Sequence, residues 1–317
     1  GPAEGGGLTI SVFLDGPAGT TGLEIRERLA TRSEIELIAL DDADRKNAGK
    51  RAEALNSADF VILCLPDDAA REAVELIAND TTRVIDASTA HRVADGWTYG
   101  FAELEPAHAA AIAEARYVSN PGCWPTGFLA LVRPLARAGL IPPDWVPTAG
   151  GASGYSGGGK SMIAEFENGS EATGFRAYGL NLEHKHLPEM QKHARIDHAP
   201  IFQPAVARAY RGMLIEVPLP LQALPRKPSP AQIEQVLADA YRDSPIVRVL
   251  PADDVSLVRI EDDAGTDRLS IRVFGNAERG QARLIATLDN LGKGAGGAAV
   301  QNLNIMAGFD QTAGLVL

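Results

Sequence analysis

A chain of 317 residues, 45% of them hydrophobic, carries a formal net charge of −11. That length allows two domains with separate cores, and the acidic balance argues against nucleic acid or an anionic membrane as partner, since both are held by clustered positive charge. No stretch approaches the roughly 18 apolar residues of a membrane helix, and two cysteines in the whole chain cannot form a disulfide framework, so a reducing, cytoplasmic setting is expected. The opening GPAEGGG has neither the basic start nor the apolar core of a secretory signal, and Gly1-Pro2 reads as a remnant of protease cleavage.

The first predicted unit is LTISVFLDGPAGTTGLEIRERLA, which reads as strand, glycine turn and helix. Residues 8–14 are apolar and β-branched, Gly16, Gly19 and Gly22 break the run, and residues 23–30 take helical spacing. Further strands are expected at 34–40 (EIELIAL), at 58–66 (ADFVILCLP), in TRVIDAST and in RYVSN, with a helix at 68–78. Strands alternating with helices predict an α/β fold with a Rossmann-like, doubly wound parallel sheet. Near Asn120 the texture changes. Residues 149–159, AGGASGYSGGG, read as a flexible loop, and GMLIEVPLPL, VSLVRI and DRLSIRVFG read as strands of a mostly antiparallel sheet in an α+β domain. The expected division is a dinucleotide-binding domain at 1–119, completed by a C-terminal helix at about 292–317, and a catalytic, substrate and dimerisation domain at 120–291. Small residues on one face of KGAGGAAVQNLNIMAGF predict a helix packed closely on a neighbour.

The glycine turn follows a strand and opens a helix, which is where backbone N–H groups and the helix dipole receive a pyrophosphate. Its spacing is GxxGxxG rather than GxGxxG, so context carries the assignment. After the second strand, Asp41 and Asp42 suit the ribose hydroxyls of NAD, whereas Arg45 and Lys46 suit the phosphate of NADP. The residues leave that choice open.

Cys123 lies in VSNPGCWPTG, directly before a predicted helix with Pro125 in its first turn and Pro134 interrupting it later. A helix N-terminus favours the thiolate, so the position suits a nucleophile. Cys64, inside FVILCLP, reads as a core residue. A nucleophilic cysteine needs a base. His91 and His108 fall in the first domain, and His184, His186, His193 and His198 cluster in EHKHLPEMQKHARIDH. His184 and His186 alternate on an extended segment. With no third ligand in view, a base is preferred to a metal site. His193 and His198 read as surface residues.

Taken together, DGPAGTTGLEIRERL, LCLPDDAA, DASTAHR, SNPGCWPTG, SGYSGGGK, HKHLPEM and KGAGGAAVQNLN resemble the N-acetyl-gamma-glutamyl-phosphate reductase family in its shorter form, over nearly the whole chain. The resemblance implies NADPH-dependent reduction of N-acetylglutamyl phosphate to its semialdehyde, in arginine biosynthesis, through a thioester on Cys123. It implies His184 as acid–base, six residues after Tyr178, with His186 as the alternative. It places Gly16, Ala18, Gly19, Thr20, Thr21, Gly22, Arg45, Pro66, Ser88, Gly154, Gly157 and Asn302 at the cofactor. Asn120, Arg92 and Lys160 fall at the substrate, and no metal is implied. The partners expected are a small-molecule substrate and further copies of the chain, as a dimer or tetramer. The alternatives are an aspartate-semialdehyde dehydrogenase or related acyl-phosphate reductase, and, outside enzymes, an NADP-binding sensor with a structural cysteine.

Overall fold

A computed structural model describes residues 9–317. Gly1-Pro2 and the first residue of the strand expected at 8–14 lie outside the described residues. Strands β1 (Ile10–Asp15), β2 (Ile35–Ile38), β3 (Phe60–Leu63), β4 (Arg83–Asp86), β5 (Thr98–Tyr99) and β6 (Tyr117–Ser119) form one sheet in the order β2-β1-β3-β4-β6-β5. All its pairings are parallel. Sheets of this kind are covered on both faces, which makes central strands continuous apolar runs. Every residue of β3, FVIL, is buried. The period of two sends Val12 and Leu14 into one core and Phe13 into the other. Helices α1 (Thr20–Ala30), α2 (Ala48–Ser57), α3 (Asp67–Leu76) and α4 (His108–Glu114) complete these layers. β5 has two residues, too short for alternation to announce it.

The chain leaves β6 through Asn120-Pro121-Gly122 and enters α5 (Cys123–Arg137). This helix is buried from Trp124 to Leu135, as an element apolar on all sides must be. Pro134 does not end it: the Ala130 carbonyl that its missing N–H leaves free accepts from Tyr241 Oη at 2.6 Å, and the helix runs on to Arg137. A second sheet is built from β7 (Thr148–Gly154), β8 (Phe175–Ala177), β9 (Ile201–Ala207), β10 (Met213–Pro220), β11 (Val247–Val249), β12 (Leu269–Asn276) and β13 (Gln281–Leu288). Their order is β11-β12-β13-β10-β7-β9-β8. Four of the six pairings are antiparallel and two are parallel. Helices α6 (Gly159–Glu167), α7 (Leu187–Ala194) and α8 (Pro230–Ala240) surround it, with α5 and α8 packed on the face that holds the larger core.

Two expectations fail here. The segment expected as a flexible loop at 149–159 supplies β7, an interior strand between β10 and β9, followed by a 3-10 turn at Tyr155–Gly158. Small residues hide a strand because they give no alternation, yet here the small size is required. At Gly151, φ is +143°, and a Cβ would lie 2.0 Å from the Leu214 carbonyl oxygen. Conversely, VSLVRI at 255–260 alternates but joins neither sheet, and Leu257 is 66% exposed. Alternation without a face to bury does not make a strand. At the C-terminus a π-helical turn, Gly292–Gly296, leads into α9 (Gly297–Ala307), which packs Ala299, Val300 and Leu303 into the core of the parallel sheet.

Candidate active site

A cavity of about 330 Å³ opens where the C-terminal ends of the parallel strands meet the second sheet. Thr20 and Thr21, at the start of α1, face it from one side, and Cys123, His184 and His186 from the other. Gly154 and Gly157 form part of the wall.

Cys123 is the first residue of α5, with Gly122 as N-cap. Helix position alone predicts a lowered thiol pKa, and the structure corrects this. Burial pushes the Cys123 thiol up; the Trp124 backbone N–H and the charges of Arg92 and Lys185 pull it down, and Glu189 opposes them. Desolvation wins, so the resting group is a thiol that must lose its proton to a partner. Cys64 behaves as the core residue expected, its thiol pushed up to about 12 by burial.

Gly122 lets three side chains converge beside Cys123. A Cβ there would lie 2.6 Å from His186 Nε2 and 2.9 Å from Arg92 Nη1, and the Gly122 N–H donates to Glu189 Oε2 at 2.9 Å. Glu189 is buried and also accepts from Tyr99 Oη and from Arg92 Nη1. Arg92 is fixed further by its bonds to the Asn120 carbonyl at 2.9 Å and the Ala87 carbonyl at 3.0 Å. Asn120 in turn donates to the Ala295 carbonyl at 3.0 Å and accepts from Asn302 at 3.1 Å.

The two candidate histidines differ in environment. His186 is buried with Nδ1 unpartnered, and burial, then Arg92, hold its pKa well below the usual imidazole range. His184 is half-buried, and burial and Lys185 lower it. Its Nδ1 accepts from the His186 N–H at 3.0 Å, which puts the proton of the neutral ring on Nε2. His186 caps α7 in helical conformation, so the pair is a turn rather than the extended segment expected, with ring centroids 4.6 Å apart. Tyr178 accepts from Trp124 Nε1 at 2.9 Å and shares the cavity. His193 is not a surface residue. It stacks on Tyr99 at 3.7 Å and donates from Nε2 to the Arg92 carbonyl at 2.7 Å, and burial lowers its pKa to about 4.

A second hollow flanks the glycine turn, lined by Asp15, Gly16, Asp42, Arg45, Lys46 and Arg51 among others. Gly16 takes φ +85°, and a side chain there would strike the Cys64 carbonyl at 2.3 Å. Of the acidic pair that complicated the choice of cofactor, one carboxylate is ion-paired and the other is turned onto the backbone. Asp41 accepts from the Asp44 N–H at 2.8 Å, and Asp42 is ion-paired with Arg45. Arg51 is held by Asp15 at 2.7 Å. Three cations against two paired carboxylates, beside an open helix N-terminus, fit a dinucleotide with an extra phosphate.

Comparison with known proteins accords with this geometry. The semialdehyde dehydrogenase dimerisation-domain model matches residues 123–290, and the semialdehyde dehydrogenase NAD-binding-domain model matches residues 48–112. An N-acetyl-gamma-glutamyl-phosphate reductase of Brucella anthropi is 51% identical over 305 residues, covering 94% of this chain and 98% of the relative. The Brucella ovis protein of the same name is 50% identical with the same coverage. The chain belongs to the N-acetyl-gamma-glutamyl-phosphate reductase family. Its fold is shared with a probable aspartate-semialdehyde dehydrogenase of Pseudomonas aeruginosa (TM-score 0.72, 16% identity, 94% of this chain and 98% of that one). It is also shared with the Candida albicans aspartate-semialdehyde dehydrogenase, solved with NADP (TM-score 0.68, 15% identity, 94% and 98%).

Among the residues singled out in the sequence, the structure brings Thr20, Thr21, Arg92, Asn120, Cys123, Gly154, Gly157, His184 and His186 to one cavity. Gly16 and Arg45 line the adjoining hollow. Gly19 caps α1, and Ala18 and Gly22 lie in the same turn and first helical turn. Pro66 caps α3. Three residues depart from expectation. Lys160 is exposed on α6 and lines neither hollow. Ser88 turns its hydroxyl to Asp86 at 2.9 Å. Asn302 spends its amide on the Gly100 carbonyl and on Asn120, in the turn before Cys123. Sequence reasoning missed Lys185, which replaces Lys160 as the exposed cation at the cavity, and also Glu189 and Arg51. The first two sit inside HKHLPEM and were legible there. Arg51 lies on a helix the sequence did not announce.

Proposed function

We propose that this chain reduces N-acetyl-L-glutamyl 5-phosphate with NADPH to N-acetyl-L-glutamate 5-semialdehyde and phosphate, a step of arginine biosynthesis. The observation that carries the reading is the single cavity shared by Cys123, His184 and the start of α1. The division into units at 1–119 with 292–317 and at 120–291 places that cavity at their seam.

Cys123 Sγ attacks the acyl carbon; the C–S bond forms as the C–O bond to phosphate breaks, giving a thioester on Cys123. NADPH, when bound, supplies the hydride that takes an acyl group to the aldehyde level. The start of α1 with Gly16, Gly19, Thr20 and Thr21 would hold its pyrophosphate, and Arg45, Lys46 and Arg51 its 2′-phosphate. The His184 ring takes the Cys123 thiol proton at Nδ1, which releases its hydrogen bond from the His186 N–H to do so; its Nε2–H donates a hydrogen bond to the acyl oxygen, and the proton returns to Sγ when the aldehyde leaves. His186, held neutral by burial beside Arg92, positions this segment against Gly122. Asn120 and Arg92 fix the loop that aims the nucleophile, and Lys185 supplies exposed positive charge for the departing phosphate.

The protein works in the cytoplasm as a homo-oligomer, dimer or tetramer. Exposed Phe175, Leu180 and Leu182, beside the open face of the second sheet, fit a second copy of the chain.

The test runs the reaction backwards from stable reactants. Enzyme, NADP⁺ and phosphate are mixed with N-acetylglutamate semialdehyde or aspartate semialdehyde, and NADPH formation is followed. Phosphate-dependent turnover with the first alone supports the reading. Turnover with the second alone moves the substrate to aspartate semialdehyde, and tight NADP binding without turnover replaces the enzyme by the sensor.

A further inference from the structure

One fully buried charge has no part in the chemistry above. Lys293 is 1% exposed. Its Nζ reaches Glu103 Oε2 at 2.9 Å, Glu103 Oε1 at 3.2 Å and Gln301 Oε1 at 2.7 Å, and it lies 5.0 Å from the centre of the Phe101 ring. Gln301 closes the group by donating to Glu103 at 3.0 Å. A buried ion pair is weak support for stability, since well-packed apolar residues often replace one without loss. It does fix one geometry, because breaking either half leaves an unpaired buried charge.

The geometry it fixes is next to the nucleophile. Lys293 belongs to the π-helical turn Gly292–Gly296, and such turns are frequent at functional sites. The next residue, Gly294, presses on Cys123 so closely that a Cβ on it would lie 2.9 Å from the Cys123 Cβ. The residue after that, Ala295, offers the carbonyl that holds the Asn120 amide at 3.0 Å. Both line the active-site cavity. Glu103 lies on the other side of the joint, in the segment between β5 and α4. The charges that bear on the Cys123 thiol are those of Arg92, Lys185 and Glu189, so Lys293 acts on it through the backbone rather than through its field.

We propose that Lys293, through its buried pair with Glu103, is a positioning residue that clamps the π turn against Cys123 and Asn120. The inference rests on the proposed role of Cys123 and extends it. When the clamp is released, Gly294 withdraws, the thiol becomes accessible, and the acyl carbon is no longer met in line.

The test compares Lys293→Met with the paired change Glu103→Leu/Lys293→Met, which removes both charges and leaves Gln301 its bond to Gln311 at 3.1 Å. Three quantities are read on each: the melting temperature, the rate of Cys123 alkylation by iodoacetamide, and kcat per titrated thiol. The expected result in both variants is alkylation several-fold faster, kcat on the order of 10- to 100-fold lower, and an unchanged Kd for NADPH. The paired variant should melt near the parent. Wild-type alkylation and kcat in a folded paired variant would overturn the clamp, as would losses that vanish once kcat is corrected for folded sites. Alkylation does not depend on the substrate's identity, so a failure of the proposed reaction in the parent enzyme leaves this result readable.

Discussion

At the residue scale, chemistry is divided by how far each group is removed from water. Burial raises the Cys123 thiol and lowers both histidines, so the resting site holds neutral partners and develops charge as substrate arrives. Cys123→Ser is expected to lose acyl-phosphate reduction by at least about a thousandfold while NADP binding, read by fluorescence titration, stays intact. His184→Asn should lower kcat by about 10²–10⁴, whereas His186→Asn, by freeing Gly122 and Arg92, should disturb KM as much as kcat. If His186→Asn alone abolishes kcat, the proton carrier is His186. Arg51 makes a separate prediction. Arg51→Ala should weaken NADP binding by at least about tenfold and leave the weaker NAD binding nearly unchanged, as measured by calorimetry. Equal losses for the two dinucleotides would mean that Arg51 supports the turn rather than the phosphate.

At the element scale, α5 and α7 carry the site because each starts there. The first turn of α5 presents Cys123 at its open N-terminus, and α7 follows the turn that holds His184 and His186. From its interior α7 returns Glu189 to the Gly122 N–H and His193 to the Arg92 carbonyl. His193, held near pKa 4 by burial, makes this docking sensitive to acid. The folded state favours the neutral ring, while the unfolded chain takes up a proton near 6.5. Stability is therefore complete above about pH 6.5, falls as pH drops toward 4, and is wholly lost from this source below that, on the order of 3 kcal/mol. The melting temperature should fall through this window, and more gently in His193→Phe, which keeps the stack on Tyr99. A slope unchanged by that substitution would assign the acid sensitivity to another group. DGPAGTTGLEIRERL and SNPGCWPTG were legible as strand-turn-helix and as a turn that opens a helix on Cys123, because glycine and proline punctuate them. β7 was not, because its backbone pairing needs small residues that carry no pattern.

At the scale of the whole molecule, the active site exists only where two sheets and the C-terminal helix meet. Asn302 of α9 bonds to Gly100 and Asn120, and Arg211 of the second sheet's border reaches Asp289 and Glu24 of α1. The second sheet also borders an apolar hollow that shares Tyr178 with the active site and includes Phe175, Leu180 and Leu182. Leu180 is 80% exposed. For the proposed interface, Phe175→Glu/Leu180→Asp is expected to shift sedimentation equilibrium from oligomer to monomer and to lower kcat, since the same segment leads to His184. An oligomer that persists unchanged would place the interface elsewhere.

The sequence by itself determined the parallel sheet, the glycine turn and the family, and singled out the cysteine proposed as nucleophile, because these rest on local pattern: alternation, punctuation and short motifs in a set order. It also contained the choice between His184 and His186 without resolving it. Tertiary structure alone decided that Lys185 rather than Lys160 faces the cavity, that His193 is held inside, that Asp42 is paired with Arg45, and that Lys293 reaches Glu103 across 190 residues. Each of these depends on which distant side chain removes a group from water or supplies its counter-charge. That pairing is set by how the two sheets pack, and no local window of the chain records it.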